Sequence, residues 1–120
     1  MTSEDVAECL SRSLAIANRD SSAWSPPHRD RDRYLDAKRA ELIAACVAPF
    51  EVAIHPGEEA ALLGPWEDRE YRLYVVARSG PDVLLFNPET MLFSLGLVSD
   101  DGHYFVTGYS SADALAEWIS

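Results

Sequence analysis

The chain has 120 residues, of which 48% are apolar, and a formal net charge of −10. This length suits one domain with a buried core, so we expect residues 1–120 to form a single domain. The apolar content argues against disorder, and no apolar run approaches the roughly 20 residues of a membrane span. The acidic start of the chain lacks the pattern of a signal peptide, which predicts a cytoplasmic protein without a membrane partner.

The negative charge is concentrated in the second half of the chain. Residues 1–50 hold eight acidic and seven basic side chains, whereas residues 51–120 hold twelve acidic and three basic ones. Such a surface repels phosphates and argues against direct binding of nucleic acid. It attracts a basic protein surface and accelerates that encounter, although solubility alone is the simpler interpretation.

The first half of the chain predicts two helices. Apolar side chains recur at helical spacing over residues 3–18, and Thr2 and Asp5 have the spacing of a capping box. A second helix is expected over residues 30–47, because Pro49 prevents its continuation. The residues that we expect to face inward from this second helix are Tyr34, Leu35, Leu42, Ile43 and Cys46.

The connection between these helices, residues 19–29, contains Ser-Ser and Pro-Pro, which break helices. Trp24 lies within it and is expected to cover an edge of the core, with an exposed binding anchor as the alternative. Cys9 and Cys46 fall on the predicted helices. In a cytosolic chain we expect two buried free thiols rather than a disulfide. Two cysteines this far apart also do not suit a zinc site.

The second half predicts strands, because apolar and β-branched residues recur there in short runs between turns. The tetrad Asn87-Pro88-Glu89-Thr90 has type I turn chemistry, so we interpret it as the bend of a hairpin. The runs that flank it are apolar at successive positions, which indicates burial on both faces of the sheet. The predicted strands are residues 50–55, 71–78, 83–87, 91–99 and 103–109.

The last segment, residues 110–120, predicts a short helix that Ser110 or Ser111 can cap, with Leu115, Trp118 and Ile119 inward. The short connections between strands indicate an antiparallel meander. We therefore predict an α+β domain. Two N-terminal helices and a short C-terminal helix would pack on an antiparallel sheet of four to five strands.

Motifs for catalysis or metal binding are weak in this sequence. The histidines at positions 28, 55 and 103 have no ligand spacing of the His-Glu-x-x-His kind, even together with Asp100 and Asp101. The chain has no Gly-x-Ser-x-Gly elbow and no glycine-rich phosphate loop, so we expect no cofactor and no metal. A catalytic pair of carboxylates stays open, because twenty acidic residues give many accidental pairs.

One stretch, residues 64–71 (GPWEDREY), places a tryptophan among carboxylates. An aromatic anchor ringed by acids suits docking on a basic partner, whereas the alternative is a tryptophan that covers the sheet beside solvated acids. The predicted partner-binding residues, which include two further acidic pairs, are Trp66, Glu67, Asp68, Glu70, Glu58, Glu59, Asp100 and Asp101.

The order of the predicted elements resembles the SUKH superfamily. The resemblance rests on the order of two N-terminal helices, a meander with the Asn-Pro-Glu-Thr turn, and the closing segment SSADALAEWI. The similarity in sequence pattern covers residues 71–120. The closing segment is similar to that family's ending, S-x-x-x-φ-x-x-φ after the last strand. The resemblance implies a small α+β protein, and many members are immunity proteins that bind and neutralise a cognate bacterial toxin.

These observations and the resemblance predict a non-enzymatic binding protein, and an immunity protein is the favoured hypothesis. Its acidic surface, from residues 58–70 and 100–101, would cover a basic cleft at the active site of the toxin. The alternatives are a small acidic secretion chaperone that binds an effector, a small enzyme, and a structural subunit.

Overall fold

The computed structural model describes residues 1–56, 62, 66–67 and 69–119. None of the helices within these ranges is long and apolar enough to cross a membrane. In chain order the elements are α1 (Ser3–Leu14), a 3₁₀ turn (Asn18–Asp20), α2 (Arg31–Ala45), β1 (Cys46–Ile54), β2 (Tyr71–Ser79), β3 (Asp82–Asn87), β4 (Leu92–Val98), β5 (Tyr104–Val106) and α3 (Ala114–Trp118).

The strands form one antiparallel sheet in the order β1-β2-β3-β4-β5, which confirms the predicted meander. The sheet curls strongly. Strands β1 and β5 stand at opposite ends of this order, and yet they approach each other. We call the region between these two edge strands the seam.

The Asn87–Thr90 tetrad is a bend, as predicted. The Asn87 Oδ1 atom accepts a hydrogen bond of 2.9 Å from the Glu89 backbone N–H, and the Met91 N–H donates to the Asn87 carbonyl at 2.7 Å. Met91 closes the turn in the left-handed region, with φ of 62°. The bend sets the register of the hairpin, in which Asn87 lies opposite Leu92.

One face of the sheet packs against the helices and forms the helix-side core. Leu84 and Phe86 point to this face from β3 and are fully buried. Strand alternation explains their common direction, because residues two apart share a face. Their main buried neighbours from the other elements are Val6, Leu10, Leu35, Leu42, Val76, Phe93 and Leu115.

The opposite face lies inside the curl and forms the inner core. Val83 and Leu85 point there from β3, so the predicted burial of this strand on both faces is confirmed. Helices cover one face, as expected, but it is the curling of the sheet on itself that covers the other. The other buried members of the inner core are Ile54, Trp66, Tyr71, Leu73, Val75 and Val98.

Helix α1 has the predicted capping box but is shorter than predicted. The Thr2 side chain accepts from the Asp5 N–H, and the Asp5 carboxylate accepts from the Thr2 N–H, which lowers the pKa of Asp5. The helix ends at Leu14 rather than at residue 18. Beyond it the chain turns toward α2, where Arg31 donates to the Ser21 carbonyl at 2.8 Å and fixes the connection.

Helix α2 also differs from the prediction at its end. It stops at Ala45, because Cys46 is extended and already pairs with Ala77 of β2. Ile43 is 56% exposed and Cys46 is exposed, so the prediction that both face inward is wrong. The helix buries only Leu35 and Leu42, which lie two turns apart, and Ile43 is rotated away from that narrow stripe.

The two thiols are free, but they are not both buried as predicted. Cys9 is half-buried, whereas Cys46 is exposed at the start of β1. The Cys46 sulfur still donates to the Leu42 carbonyl at 3.3 Å, and its partial burial raises the pKa of the thiol.

The C-terminal helix is present, with a different cap. Asp113 is the N-cap and accepts from the Ala116 N–H at 3.1 Å. Ser111 does not cap it, because its backbone is paired with Phe93 as an isolated bridge on the edge of β4. Leu115 is buried, and Trp118 and Ile119 pack against the helix-side core, as predicted.

Candidate partner-binding site

Of the two interpretations of Trp66 that the sequence left open, an exposed anchor and a cover over the sheet, the structure has the buried one. Its side chain is only 5% exposed, and its ring packs edge-on against Tyr71, with the centroids 4.9 Å apart. The ring belongs to the inner core, which agrees with the interpretation of Trp66 as a tryptophan that covers the sheet.

Trp24, in contrast to Trp66, has an exposed side chain. It is 60% exposed, so the prediction that it covers the core edge is wrong, and its ring meets Tyr34 edge-on with the centroids 6.4 Å apart.

Two of the predicted acids beside Trp66, Glu67 and Glu70, are exposed. Between them in sequence, Arg69 lies 3.4 Å from the Glu67 carboxylate, 3.0 Å from that of Glu89, and 3.7 Å from the ring centre of Tyr71. The hydrogen bond to Glu89 is the main cause that raises the pKa of Arg69. Part of the predicted acidic surface is therefore neutralised internally. Three other predicted acids, Glu58, Glu59 and Asp68, lie outside the described residues.

The second predicted acidic pair, Asp100 and Asp101, is exposed on the turn between β4 and β5. The Asp101 carboxylate accepts from the Ser99 hydroxyl and lies 3.0 Å from the His103 Nδ1 atom. The hydrogen bond from Ser99, and then the charge of His103, lower the pKa of Asp101. Asp101 is thereby held as a carboxylate.

A concave space of about 400 Å³ lies at the seam, and we call it the seam hollow. Glu70 enters it from the start of β2, and His103 from the turn that carries Asp101. The curl of the sheet therefore brings together two acidic segments that are about thirty positions apart in the chain. The other lining residues are Ala53, Ile54, His55, Gly102, Tyr104 and Phe105.

An exposed apolar pair borders this hollow. Phe105 is 50% exposed, and Leu97, which lies opposite it across β4 and β5, is 44% exposed. The sequence reasoning missed this pair because it took the apolar run of β4 to be buried on both faces. The sequence could have indicated it, because two apolar residues that face each other on neighbouring strands, away from the helices, need some other surface to cover them.

A second, smaller hollow of about 170 Å³ lies at the Asn87–Thr90 bend, and we call it the tetrad hollow. Trp66, Arg69 and Tyr71 line it from one side. The sequence reasoning explained the tetrad by its turn geometry alone and missed this feature, because nothing local indicates that residues 66–71 pack beside the bend. The remaining lining residues are Glu67, Asn87, Glu89, Thr90 and Ser110.

Within the described ranges, no group of three or more His, Cys, Asp or Glu side chains is arranged to hold a metal ion. The arrangement at the seam instead offers the Glu70 carboxylate beside the exposed ring of Phe105, with Asp101 on the adjoining turn. That combination can bind a lysine or arginine side chain by charge and by contact with its aliphatic stem.

Comparison with protein-family models, with curated proteins and with solved structures finds no match to this chain.

Proposed function

We propose that this chain is a non-enzymatic protein-binding domain of the immunity type, which neutralises a cognate bacterial toxin by covering its active site. The observation that carries the proposal is the seam hollow, where Glu70 and the Asp101 turn meet beside the exposed ring of Phe105. No lysine or arginine is among the described residues that line it.

Charge supports a basic partner. Residues 51–120 hold nine more acids than bases, since twelve minus three is nine. The Glu70 carboxylate lies 4.0 Å from the Arg72 guanidinium, and both side chains are well exposed. Exposed pairs of this kind contribute little, so a partner's cation replaces Arg72 at small cost. The field of the acidic half accelerates association with a basic cleft.

Apolar contact supplies the rest of the interface. Leu97 and Phe105 form an exposed apolar pair at the edge of the seam hollow. An apolar centre with a charged rim is the usual anatomy of a specific protein interface. A toxin that acts on an anionic substrate has a cleft of matching charge, and occupation of that cleft excludes the substrate.

A small secretion chaperone is the second candidate, and the same apolar pair favours it. A chaperone holds an apolar segment of its effector, so its affinity depends more on Leu97 and Phe105 than on the acids. Substitution of Phe105 by Ser separates the two candidates. A chaperone loses most of its binding whatever the salt, whereas an immunity protein keeps a salt-dependent association.

The test of the proposal is a charge reversal at the seam. Partners are captured from the native lysate with the tagged protein, and affinity is then measured at low and high salt. We expect Glu70→Lys with Asp101→Lys to weaken binding about ten- to a hundredfold and to flatten its salt dependence. Addition of this protein to the captured toxin at equimolar concentration is also expected to inhibit the activity of the toxin.

The matched control reverses Glu8 and Asp20, which are exposed acids in the N-terminal half that also face an arginine. It makes the same change in net charge, so it isolates the effect of position. Equal affinity and equal salt dependence in the seam variant and the control would remove the seam from the interface. A captured protein with no basic surface would contradict the proposal as a whole.

A further inference from the structure

A hollow of about 420 Å³ lies along α2, and we call it the α2 hollow. The residues that line it recur three and four positions apart from Asp30 to Glu41, so they form one face of the helix. This face is open, because α2 buries only Leu35 and Leu42. Its length is roughly 16 Å at 1.5 Å per residue, which matches about five residues of extended polypeptide.

Two arginines that line the α2 hollow have no carboxylate partner. The Lys38 Nζ atom lies 3.2 Å from the Glu41 carboxylate, and Asp30 is engaged as the N-cap of α2. The guanidinium groups of Arg29 and Arg33, in contrast, make no hydrogen bond or ion pair within the part of the chain that the structure describes. Their N–H donors are therefore available to a ligand, and a carboxylate matches the planar geometry of a guanidinium.

An aromatic pair adjoins the same hollow. Tyr34 lines it, and the Arg29 Cζ and Lys38 Nζ atoms lie 5.9 and 5.6 Å from the centre of its ring. The ring of Trp24 meets that of Tyr34 edge-on at 6.4 Å, and Trp24 is 60% exposed. Tryptophan is among the residues that most often anchor a protein interface. Trp24 therefore offers apolar surface to a ligand that reaches the arginines.

Charge decides how many negative charges the ligand carries. The lining of the α2 hollow holds three basic and two acidic side chains, so its excess is one positive charge, since three minus two is one. A single carboxylate balances this excess. A phosphate dianion or a run of acidic residues would add unbalanced negative charge to a chain whose net charge is already −10.

We propose that the α2 hollow binds a short extended segment of a partner polypeptide. The segment presents one carboxylate to the free arginines, Arg29 and Arg33, and a neighbouring apolar side chain to the exposed ring of Trp24. The inference goes beyond the proposed function and does not rest on it, because no residue lines both the α2 hollow and the seam hollow. The protein then has two binding surfaces of opposite charge.

The first test titrates the ¹⁵N-labelled protein with the capped pentapeptide acetyl-Ala-Leu-Glu-Leu-Ala-amide and follows the indole N–H signals by NMR. The capped ends leave one carboxylate as the only charge. We expect a saturable shift of the Trp24 signal and none of Trp66, which is buried. The matched peptide with Gln in place of Glu is expected to bind about three- to tenfold more weakly, because it lacks the charge.

Inorganic phosphate tests whether an anion alone is enough. At equal ionic strength it is expected to give no saturable shift of the Trp24 signal. Phosphate that binds as tightly as the Glu peptide would overturn the assignment to a polypeptide segment. Equal affinities of the Glu and Gln peptides would overturn the role of the carboxylate, and the lack of any saturable shift would overturn the site itself.

Substitutions locate the charge. Arg29→Gln with Arg33→Gln keeps two long side chains and is expected to lower the affinity for the Glu peptide to that for the Gln peptide. The matched control is Arg12→Gln with Arg19→Gln, which makes the same change in net charge at exposed arginines outside the α2 hollow. Equal affinities in the two double variants would contradict the proposal.

Trp24→Ser tests the apolar contact, with the backbone amide signals of α2 as the readout. It is expected to weaken both peptides several-fold and by the same factor, because it leaves the arginines in place. Parental affinity in this variant would overturn the role of Trp24. The charge reversal at Glu70 and Asp101 should leave peptide binding unchanged, so failure of the seam and failure of the α2 hollow are separate results.

Discussion

The helix-side core and the inner core lie on opposite faces of one sheet and are closed in different ways. Helices α1, α2 and α3 cover the first. Polar contacts link them: the Ser13 hydroxyl donates to the Ala112 carbonyl at 2.7 Å and accepts from the Ala114 N–H at 2.8 Å. The second is enclosed by the sheet itself, with Trp66 as one of its buried aromatic residues.

This difference explains why the candidate binding surface for a basic partner lies at the edges of the sheet rather than on the helices. Where helices cover the sheet, hydrogen bonds such as those of Ser13 join the helices to one another. Where the sheet closes on itself, its two edge strands meet without pairing to each other, which leaves the seam hollow and an exposed apolar pair. Edge strands that are not covered by their own chain are natural places for a partner.

The largest expected effect comes from adjacent residues that lie in the two cores. Leu84 and Leu85 are both fully buried, the first on the helix side and the second inside the curl. We expect Leu84→Ala and Leu85→Ala each to lower the free energy of unfolding by about 2–5 kcal/mol. Urea denaturation of both variants measures this directly. A loss below about 1 kcal/mol for Leu85→Ala alone would show that the inner core is loosely packed.

A smaller effect is expected at Gly96, where the curl brings backbones close. A Cβ atom there would lie 2.5 Å from the Phe105 carbonyl oxygen and 2.6 Å from Leu85 Cδ1. Gly96→Ala is expected to cost about 1–3 kcal/mol and to speed hydrogen exchange of the β5 amides, since the backbone oxygen must move. Gly80→Ala is the control. Gly80 has φ of +60° and open space around it, so the exchange of β5 should not change.

A substitution at Asp113 tests how much the hydrogen bonds between the helices contribute to the stability of the helix-side core. Its Oδ2 atom accepts from the Ser21 hydroxyl at 2.6 Å and from the Ser22 N–H at 3.1 Å, while its Oδ1 atom caps α3. We expect Asp113→Ala to cost about 1–3 kcal/mol, because three part-buried donors lose their acceptor. Asp30→Ala removes an exposed cap from α2 and should cost about 1 kcal/mol or less. Equal losses in thermal unfolding would mean that only the cap matters.

The smallest expected effect depends on pH. Burial raises the pKa of Glu117, and the nearby charge of Asp113 adds to this, against a hydrogen bond from Ser111. The folded protein therefore holds this proton more tightly than the unfolded chain. The stability that the group contributes is present below its ordinary pKa of 4.5 and is lost as the pH rises through the folded pKa.

Glu117→Gln does not titrate, so we expect it to be more stable than the parent near neutral pH, by about 1 kcal/mol or less. The difference should shrink toward zero below pH 4.5, as measured by melting temperatures across the pH range. Glu8→Gln, at an exposed site, is the control. A constant difference at every pH would contradict the assignment to Glu117 ionisation.

Much of the local structure could be predicted from the sequence. The capping box of Thr2 and Asp5, the strand periods and the bend at Asn87 depend on neighbours within a few residues. The end of α2 could not be predicted, because it depends on the pairing of Cys46 with Ala77, thirty-one positions away. The exposure of Ile43 could not be predicted either, because packing alone decided that Leu42, and not its apolar neighbour Ile43, faces the core.

The candidate site shows the same division. The sequence named Glu70 and Asp101 as candidates from charge, but it treated the segments that carry them as separate acidic clusters. Trp66 was placed among carboxylates by sequence and in the inner core by packing. Arg69 and Phe105 were missed, because their roles depend on what lies across the seam or across the bend.

By itself the sequence determined the order of helices and strands, the antiparallel meander and the acidic character of the second half, because these follow from local periodicity, short connections and composition. Only the tertiary structure decided how the second face of the sheet is covered. Strand twist accumulates across the sheet until β1 approaches β5, and this geometry buries Trp66 and brings Glu70 to the seam. No local pattern encodes that closure, since it is a property of all five strands together.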